Sequence, residues 1–414
     1  MNPNSAFTRF RQSLLPLPLL FAVLSIALSI LTSVVDREIG FEDSLFPGGA
    51  DSARSLLSSI GGASITLTAV VFSITMLVLQ LTSAQYSPRM LRRFLRDRVS
   101  QAALAVFVST FTFSLAALRG VSPETVPVTS VALAIILALV TIGVFVVYVN
   151  HMAQEIRVSS LIGSIAAETS SALQELYVDE ADGTDGDARW PEGPVVTVPA
   201  PRNGVVVGVH ERGLVSAAKR LDAAAELVPV VGDWVVQGDP LLRVTGTDGE
   251  DAEALAEQVS VGDDRDIAQD PAYGLRQLVD IAERALSPGT NDPTTAVQAI
   301  QAIHGLLAQI ASADGGSRVA CDGDGLARFR QRRRTFADLV DLSVNEILLY
   351  GRRSLQVGAA LERMLDSLGR MAEGPHANVV AVKLDQVRRV RHQFLSDEAW
   401  FAGPSLAPSP SPEA

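Results

Sequence analysis

Ser64, Thr68, Thr75 and Thr82 recur at spacings of four, seven and seven inside one uncharged stretch, so a helix places their hydroxyls on a single face. Thr66, Ser73, Gln80, Ser83 and Gln85 add polarity nearby. Such a stripe supports two kinds of chemistry. Hydroxyls can glue helices together, allowing close approach and bonding back to carbonyls of the preceding turn. They can also line a path, replacing part of a permeant solute's hydration when each subunit of an oligomer contributes one helix. No Asp, Glu, Lys or Arg lies inside the expected spans, so a proton relay or a buried ion pair there has no residue to carry it.

A second constellation is the turn Ser287–Asp292. Ser287-Pro288-Gly289 breaks a helix, and Asn291 or Asp292 caps the next one with Pro293 at its first position. Backbone N–H groups at that helix start, with Arg284 close by, could form a small anion or solute site. Asp292 argues against an anion, because a capping carboxylate would already occupy those donors. The plainer role is a tight corner that docks helix on helix. Asp280 and Arg284 stand at i,i+4 spacing as an ion pair, and Asp280, Glu283 and Asp292 lack any recognisable metal-loop spacing.

Nucleophilic catalysis has little to build on. His151, His210, His304, His376 and His392 are scattered, there is no GxSxG elbow, and Cys321 lies in a Gly/Asp loop without an evident base. No phosphate-binding GxxxxGK[ST] loop or dinucleotide fingerprint occurs. One cysteine excludes an intramolecular disulfide and a multi-cysteine metal site. We therefore expect no enzyme, catalytic residue, cofactor or bound metal. The net charge of −12 argues against a general nucleic-acid binder.

The elements that must position these residues begin with four uncharged stretches, Gln12–Val35, Ser55–Pro88, Val99–Leu118 and Thr125–Gln154. A helix needs about 20 apolar residues to cross a bilayer, so each suffices. The expected spans are 14–35, 60–83, 100–118 and 128–150 within a transmembrane domain 1–154, with Gly61-Gly62 starting the second helix. Arg9, Arg11, Arg89, Arg92, Arg93, Arg96, Arg98 and Arg157 fall on one side, and Arg37, Arg54 and Arg119 on the other. That asymmetry places both termini in the cytoplasm. Arg89, Arg92, Arg93, Arg96 and Arg98 interleave with Met90, Leu91, Phe94 and Leu95, a pattern suited to anionic headgroups or serving simply as a topology signal.

A helix at 155–178 should continue the fourth span rigidly into the cytosol. Acidic segments 179–194 and 248–270 read as solvated linkers. Between them, 195–247 shows β-rich runs at Val195–Val198, Gly204–Val209, Leu227–Val231, Trp234–Val236 and Leu241–Val244, with a short helix at Val215–Ala225. VPAPRNGVVVGV and VVGDWVVQGDPLLRV resemble the half-barrel pattern of biotinyl, lipoyl and membrane-fusion adaptor domains. That resemblance implies a small β barrel, and no swinging arm, since no lysine stands at a matching hairpin tip. From 271 to 400 the chain reads helical, with helices at Ala272–Leu286, Thr294–Ile310, Arg334–Tyr350, Arg353–Met371 and Asn378–Leu395. The basic run Arg328, Arg330 and Arg332–Arg334 reads as a solvated face or a surface for headgroups or an acidic partner. The tail 401–414, rich in Pro and Ser, should be disordered.

RALSPGTNDPTTA, the preceding DPAYGLRQLVDIAE, and LQLTSAQYSPRMLRRFLRDR at the end of the second span resemble the bacterial predicted membrane protein family known as domain of unknown function 2254. The resemblance implies a four-span bacterial inner-membrane protein with a cytoplasmic domain and no established activity. Two functions stand as expectations. One is an oligomeric channel or passive permeation protein for an ion or small solute, with the second span lining the path. The other is a membrane-anchored scaffold or sensor whose cytoplasmic domain recruits a partner. The bilayer and further copies of the chain are the expected partners.

Overall fold

The computed structural model describes residues 16–39, 49–85, 97–122, 126–155, 157–179, 189–247, 249–313 and 316–397 of the 414. Two compact units divide the chain, Met1–Ser160 and Leu161–Ala414. The first holds four helices long and apolar enough to cross a membrane: α1 (Pro16–Ile39), α2 (Gly49–Gln85), α3 (Arg98–Ala117) and α4 (Val128–Glu155). Asp97 caps α3, its carboxylate accepting from the N–H groups of Val99 and Ser100. α3 is the most enclosed of the four. Val71, Phe107, Tyr148 and Met152 form one buried cluster, and Ala53, Leu57, Phe113 and Ala134 another.

α2 runs unbroken through Gly61-Gly62 and starts at Gly49, well before the expected residue 60. The reason is packing. Gly61 faces α3, where an added Cβ would lie 3.6 Å from Ser114 Cβ, an ordinary packing distance, so the helix passes through this glycine as through any packed position. The expected rigid continuation of the fourth span is likewise corrected. α4 ends at Glu155 and a separate helix, α5 (Val158–Leu173), follows. Arg157 between them is not helical, and its carbonyl accepts from Ser160 N–H to close the first turn of α5. A π-helical turn, Gln174–Asp179, extends α5.

In the second unit the strands are β1 (Val195–Pro199), β2 (Gly204–Val209), β3 (Ala224–Leu227), β4 (Trp234–Val235), β5 (Pro240–Thr245), β6 (Val259–Gly262), β7 (Ser317–Cys321) and β8 (Ala327–Arg332). They form a five-stranded sheet in the order β1-β5-β3-β8-β7 and a three-stranded sheet in the order β4-β2-β6. Pairing is antiparallel except between β3 and β8. Helices α6 (Glu211–Arg220) and α7 (Gly249–Ala256) cover a shared core that includes Val206, Leu214, Leu227, Leu241, Leu242, Leu255 and Phe329.

The expected barrel does not form. β6 takes the free edge of β2 and β8 takes that of β3, so the runs of 195–247 are divided between two sheets. Both intruding strands come from outside that segment. Within the segment 248–270, expected to be a linker, residues 249–262 hold α7 and β6, with Ala252 and Leu255 fully buried despite the acidic residues around them. Residues 180–188 of the other acidic segment and the tail 401–414 lie outside the described residues.

The remaining helices are α8 (Pro271–Leu286), α9 (Pro293–Gln309), α10 (Phe336–Gly351), α11 (Leu355–Met371) and α12 (Pro375–Asp397). The hairpin of β7 and β8 separates α9 from α10, so 271–400 is not purely helical. Thr335 and Asp338 cap α10 reciprocally, and Ser354 caps α11. α5 meets α8 where Thr169 packs against Gly274.

Candidate functional site

Polar side chains join the four apolar helices, and α4 is the hub. Its buried face carries Ser130, Thr141 and Tyr148, each reaching a different neighbour. Ser130 Oγ donates to Thr32 Oγ1 of α1 at 2.9 Å. Thr141 and Thr110 of α3 are hydroxyl to hydroxyl at 2.9 Å. Tyr148 Oη lies 2.8 Å from Thr75 Oγ1 of α2, and both reach the Val71 carbonyl. Ser25 of α1 pairs with Thr112 of α3. One carboxylate guards each end of this array. Asp36 accepts from the N–H and hydroxyl of Thr129 and from Ser130, while Asp97 lies 3.1 Å from His151 Nε2. Sequence reasoning missed these carboxylates because each stands at a helix terminus, beyond the uncharged run.

The four hydroxyls of the second span are placed as follows. Ser64 is buried and donates to the Ile60 carbonyl, Thr68 donates to Ser64, and Thr75 is buried against Tyr148. Thr82 falls where side chains lie outside the described residues. Those engagements suit helix packing within one subunit.

The opposite face of α2 carries a second stripe. Ser55, Ser59, Gly62, Thr66, Ala69, Ser73, Met76 and Gln80 are all exposed and recur at alternating spacings of four and three. Thr66 and Ser73 bond back to Gly62 and Ala69. α1 and α4 differ. The outward faces of α1 and α4 present Leu24, Ile30, Leu31, Ile136, Leu139 and Val146, all more than half exposed, while Ser25, Ser29 and Thr32 of α1 point inward. Large aliphatic side chains suit lipid; a band of small and hydroxylated residues suits another helix or water.

Of the basic residues after the second span, Arg98 opens α3, and Arg89, Arg92, Arg93 and Arg96 lie outside the described residues.

At the Ser287–Asp292 turn, Asp292 is the cap of α9. Its carboxylate accepts from Thr295 N–H at 3.1 Å and from the Thr295 hydroxyl at 2.6 Å, which together hold it below the ordinary carboxylate range. Asn291 instead takes the left-handed backbone of the turn, φ 47°. Ser287 donates to the Arg284 carbonyl, and Asp292 N–H to that of Ala285. The helix donors are therefore occupied from within, as a corner requires.

Asp280 is engaged by Arg276, whose Nε lies 2.8 Å from Asp280 Oδ1. The same guanidinium meets Glu283 at 3.4 Å and Glu346 of α10. Burial and the neighbouring Glu346 push the Glu283 carboxyl up to about 8. Arg276 and Glu346 escaped the sequence reading because Glu346 comes from a helix sixty-odd residues on. Among the described residues no three His, Cys, Asp or Glu side chains are arranged to hold a metal ion.

The basic run on β8 is corrected in part. Arg328 is only 5% exposed and pairs with Asp322 at 2.8 Å and Asp222 at 3.0 Å. Arg330 lies over Trp190 at 4.6 Å, Arg333 over Tyr177 at 5.9 Å, and Arg334 binds Asp233. These cations serve the fold of the unit, and the buried Asp270, held by Arg265 at 2.6 Å, belongs to the same neighbourhood as Tyr177 and Arg334. The alternation ARFRQR was the available signal for a strand.

Four helices long and apolar enough to cross a membrane, tied by internal hydroxyl bonds and followed by an α+β region, are the make-up of a membrane protein. The chain belongs to the DUF2254 family, described as predicted membrane protein, whose model matches residues 11–367. It is 32% identical over 373 residues to uncharacterized proteins of Mycobacterium tuberculosis strain H37Rv and of Mycobacterium bovis, covering 86% of this chain and 71% of each relative. No solved structure matches it.

Proposed function

We propose that the protein is a homo-oligomeric permeation protein of the bacterial inner membrane, in which α2 of each subunit faces a central path. The observation that carries the reading is the exposed stripe Ser55–Gln80. Its alternating four-and-three spacing is the heptad pattern by which like helices pack with a left-handed crossing, and Thr66, Ser73 and Gln80 bring polarity to that seam. Thr75, bonded to Tyr148 of α4, then ties α2 into its own subunit, and the outer stripe lines the path or the contact between copies. The arginine asymmetry of the short loops supports both termini, and hence the second unit, lying in the cytoplasm.

A membrane-anchored scaffold is the second reading. Leu349 and Tyr350 at the end of α10 and Leu355 at the start of α11 are exposed apolar side chains that a partner could cover.

Liposomes reconstituted with the full chain test the choice. Ion flux above that of empty liposomes, lost in a Thr66→Leu/Ser73→Leu variant that keeps its oligomeric size, supports the path. Flux indistinguishable from empty liposomes across several ions and pH values overturns it in favour of the scaffold.

A further inference from the structure

Three carboxylates and one cation meet where α8 packs on α10. Arg276 pairs along its own helix with Asp280 and Glu283 and across the interface with Glu346. All but Glu346 are at least three-quarters buried, with side-chain exposures of 23% for Arg276, 13% for Asp280 and 20% for Glu283, against 44% for Glu346. Glu283 and Glu346 thus converge on one guanidinium, Glu283 on Nη2 at 3.4 Å and Glu346 on Nη1. Two ionised carboxylates have acceptors only and repel each other, so carboxyls brought together on a single cation favour a proton on one of them.

The remaining charged groups around the pair are accounted for. α8 also carries Tyr273 and Arg284. On α10, Asp338 caps the helix with Thr335, Asp341 pairs with Lys383, and Tyr350 is exposed. α9 contributes His304, whose charged neighbour is Arg370 of α11, and α5 contributes Glu168 beside the Thr169–Gly274 contact.

We propose that Arg276, Asp280, Glu283 and Glu346 form a proton-linked clasp between α8 and α10, closed when Glu283 carries a proton shared with Glu346 and weakened when both carboxylates are charged. With three charged carboxylates the single guanidinium leaves two negative charges uncompensated at a half-buried helix interface. The clasp works in the physiological range because burial and the neighbouring Glu346 raise Glu283 from 4.5 to about 8. A carboxyl whose folded value is raised lends its full stabilisation below about 4.5 and loses it as pH climbs toward 8. This inference stands independently of the permeation reading.

The experiment uses the full chain in detergent micelles. The thermal midpoint is measured from pH 5 to pH 9 for wild type and for Glu283→Gln, and the infrared band of protonated carboxyl groups is followed at pH 7. The expected result is a wild-type midpoint that falls by roughly 5 °C over that range, a flattened profile in Glu283→Gln, and a pH 7 carboxyl band lost in the variant. Parallel profiles, or a band that survives in Glu283→Gln, overturn the clasp. Should Glu283→Gln not fold, Glu346→Gln decides the question. Removing that neighbour's charge lowers the Glu283 value, so the band must weaken at pH 7, and an unchanged band has the same overturning force.

Discussion

Arg328 shows how one side chain can carry a sheet. It reaches Asp322 through Nε, Asp222 through Nη2 and the Ala223 carbonyl through Nη1, tying β8 to the turn that precedes β3 and to the turn of its own hairpin. The Arg328 hydrogen bond is also the chief reason Asp322 is held down at about 2. Replacing Arg328 with Met leaves Asp322, whose side chain is 2% exposed, facing the interior without its cation. Breaking such a pair from one side leaves an uncompensated charge. Thermal unfolding of the full chain should therefore show a lower midpoint in Arg328→Met at neutral pH. A depressed carboxyl lends stability above about 4 that is lost as pH falls toward 2. The deficit of the variant should shrink over that acid range, and a deficit unchanged with pH would assign the loss to packing instead.

Element by element, the chain was legible where the pattern is local. Four uncharged runs became α1 to α4, Asp292 with Pro293 marked the start of α9, and Leu275, Leu278, Val279 and Ala282 marked the buried face of α8. Legibility failed where a distant partner decides the outcome. Glycines at 61 and 62 looked like a helix start, yet Gly61 is a contact with Ser114. Asp248–Asp270 looked solvated by composition, yet Val259 and Val261 alternate inward once β2 is there to pair with them. The candidate site divided the same way. Its hydroxyl spacing was visible, but which of two opposite faces of α2 is enclosed depends on where α3 and α4 pack. Gly274 makes the point testable within one helix. A methyl group there would overlap Thr169 Oγ1, so Gly274→Ala should lower stability by about 1–3 kcal/mol in spite of alanine's better helix propensity. Thr169→Ala should recover part of that loss, and a double variant no better than Gly274→Ala alone would mean that α5 yields in some other way.

At the scale of the molecule, the second unit is one folding body whose sheets are completed from far along the chain. β3 has β5 on one side and β8, about a hundred residues later, on the other; β2 has β4 on one side and β6 on the other. Segment 195–247 alone would therefore keep β1, β3 and β5 in one short sheet with β3 left as an open edge, and a two-stranded β2–β4 pair with no third member. It would also lose Phe329, Leu255 and Val259 from the core those strands share. Two-stranded ribbons are marginal in water, and an unprotected apolar edge invites association. A polypeptide of residues 195–247 should accordingly show poorly dispersed amide resonances and no cooperative melt, whereas residues 161–397 should give dispersed resonances and a single transition. A cooperatively folded 195–247 would restore the independent small β domain that its turn pattern suggested, and β6 and β8 would then be additions to a finished core instead of parts of it.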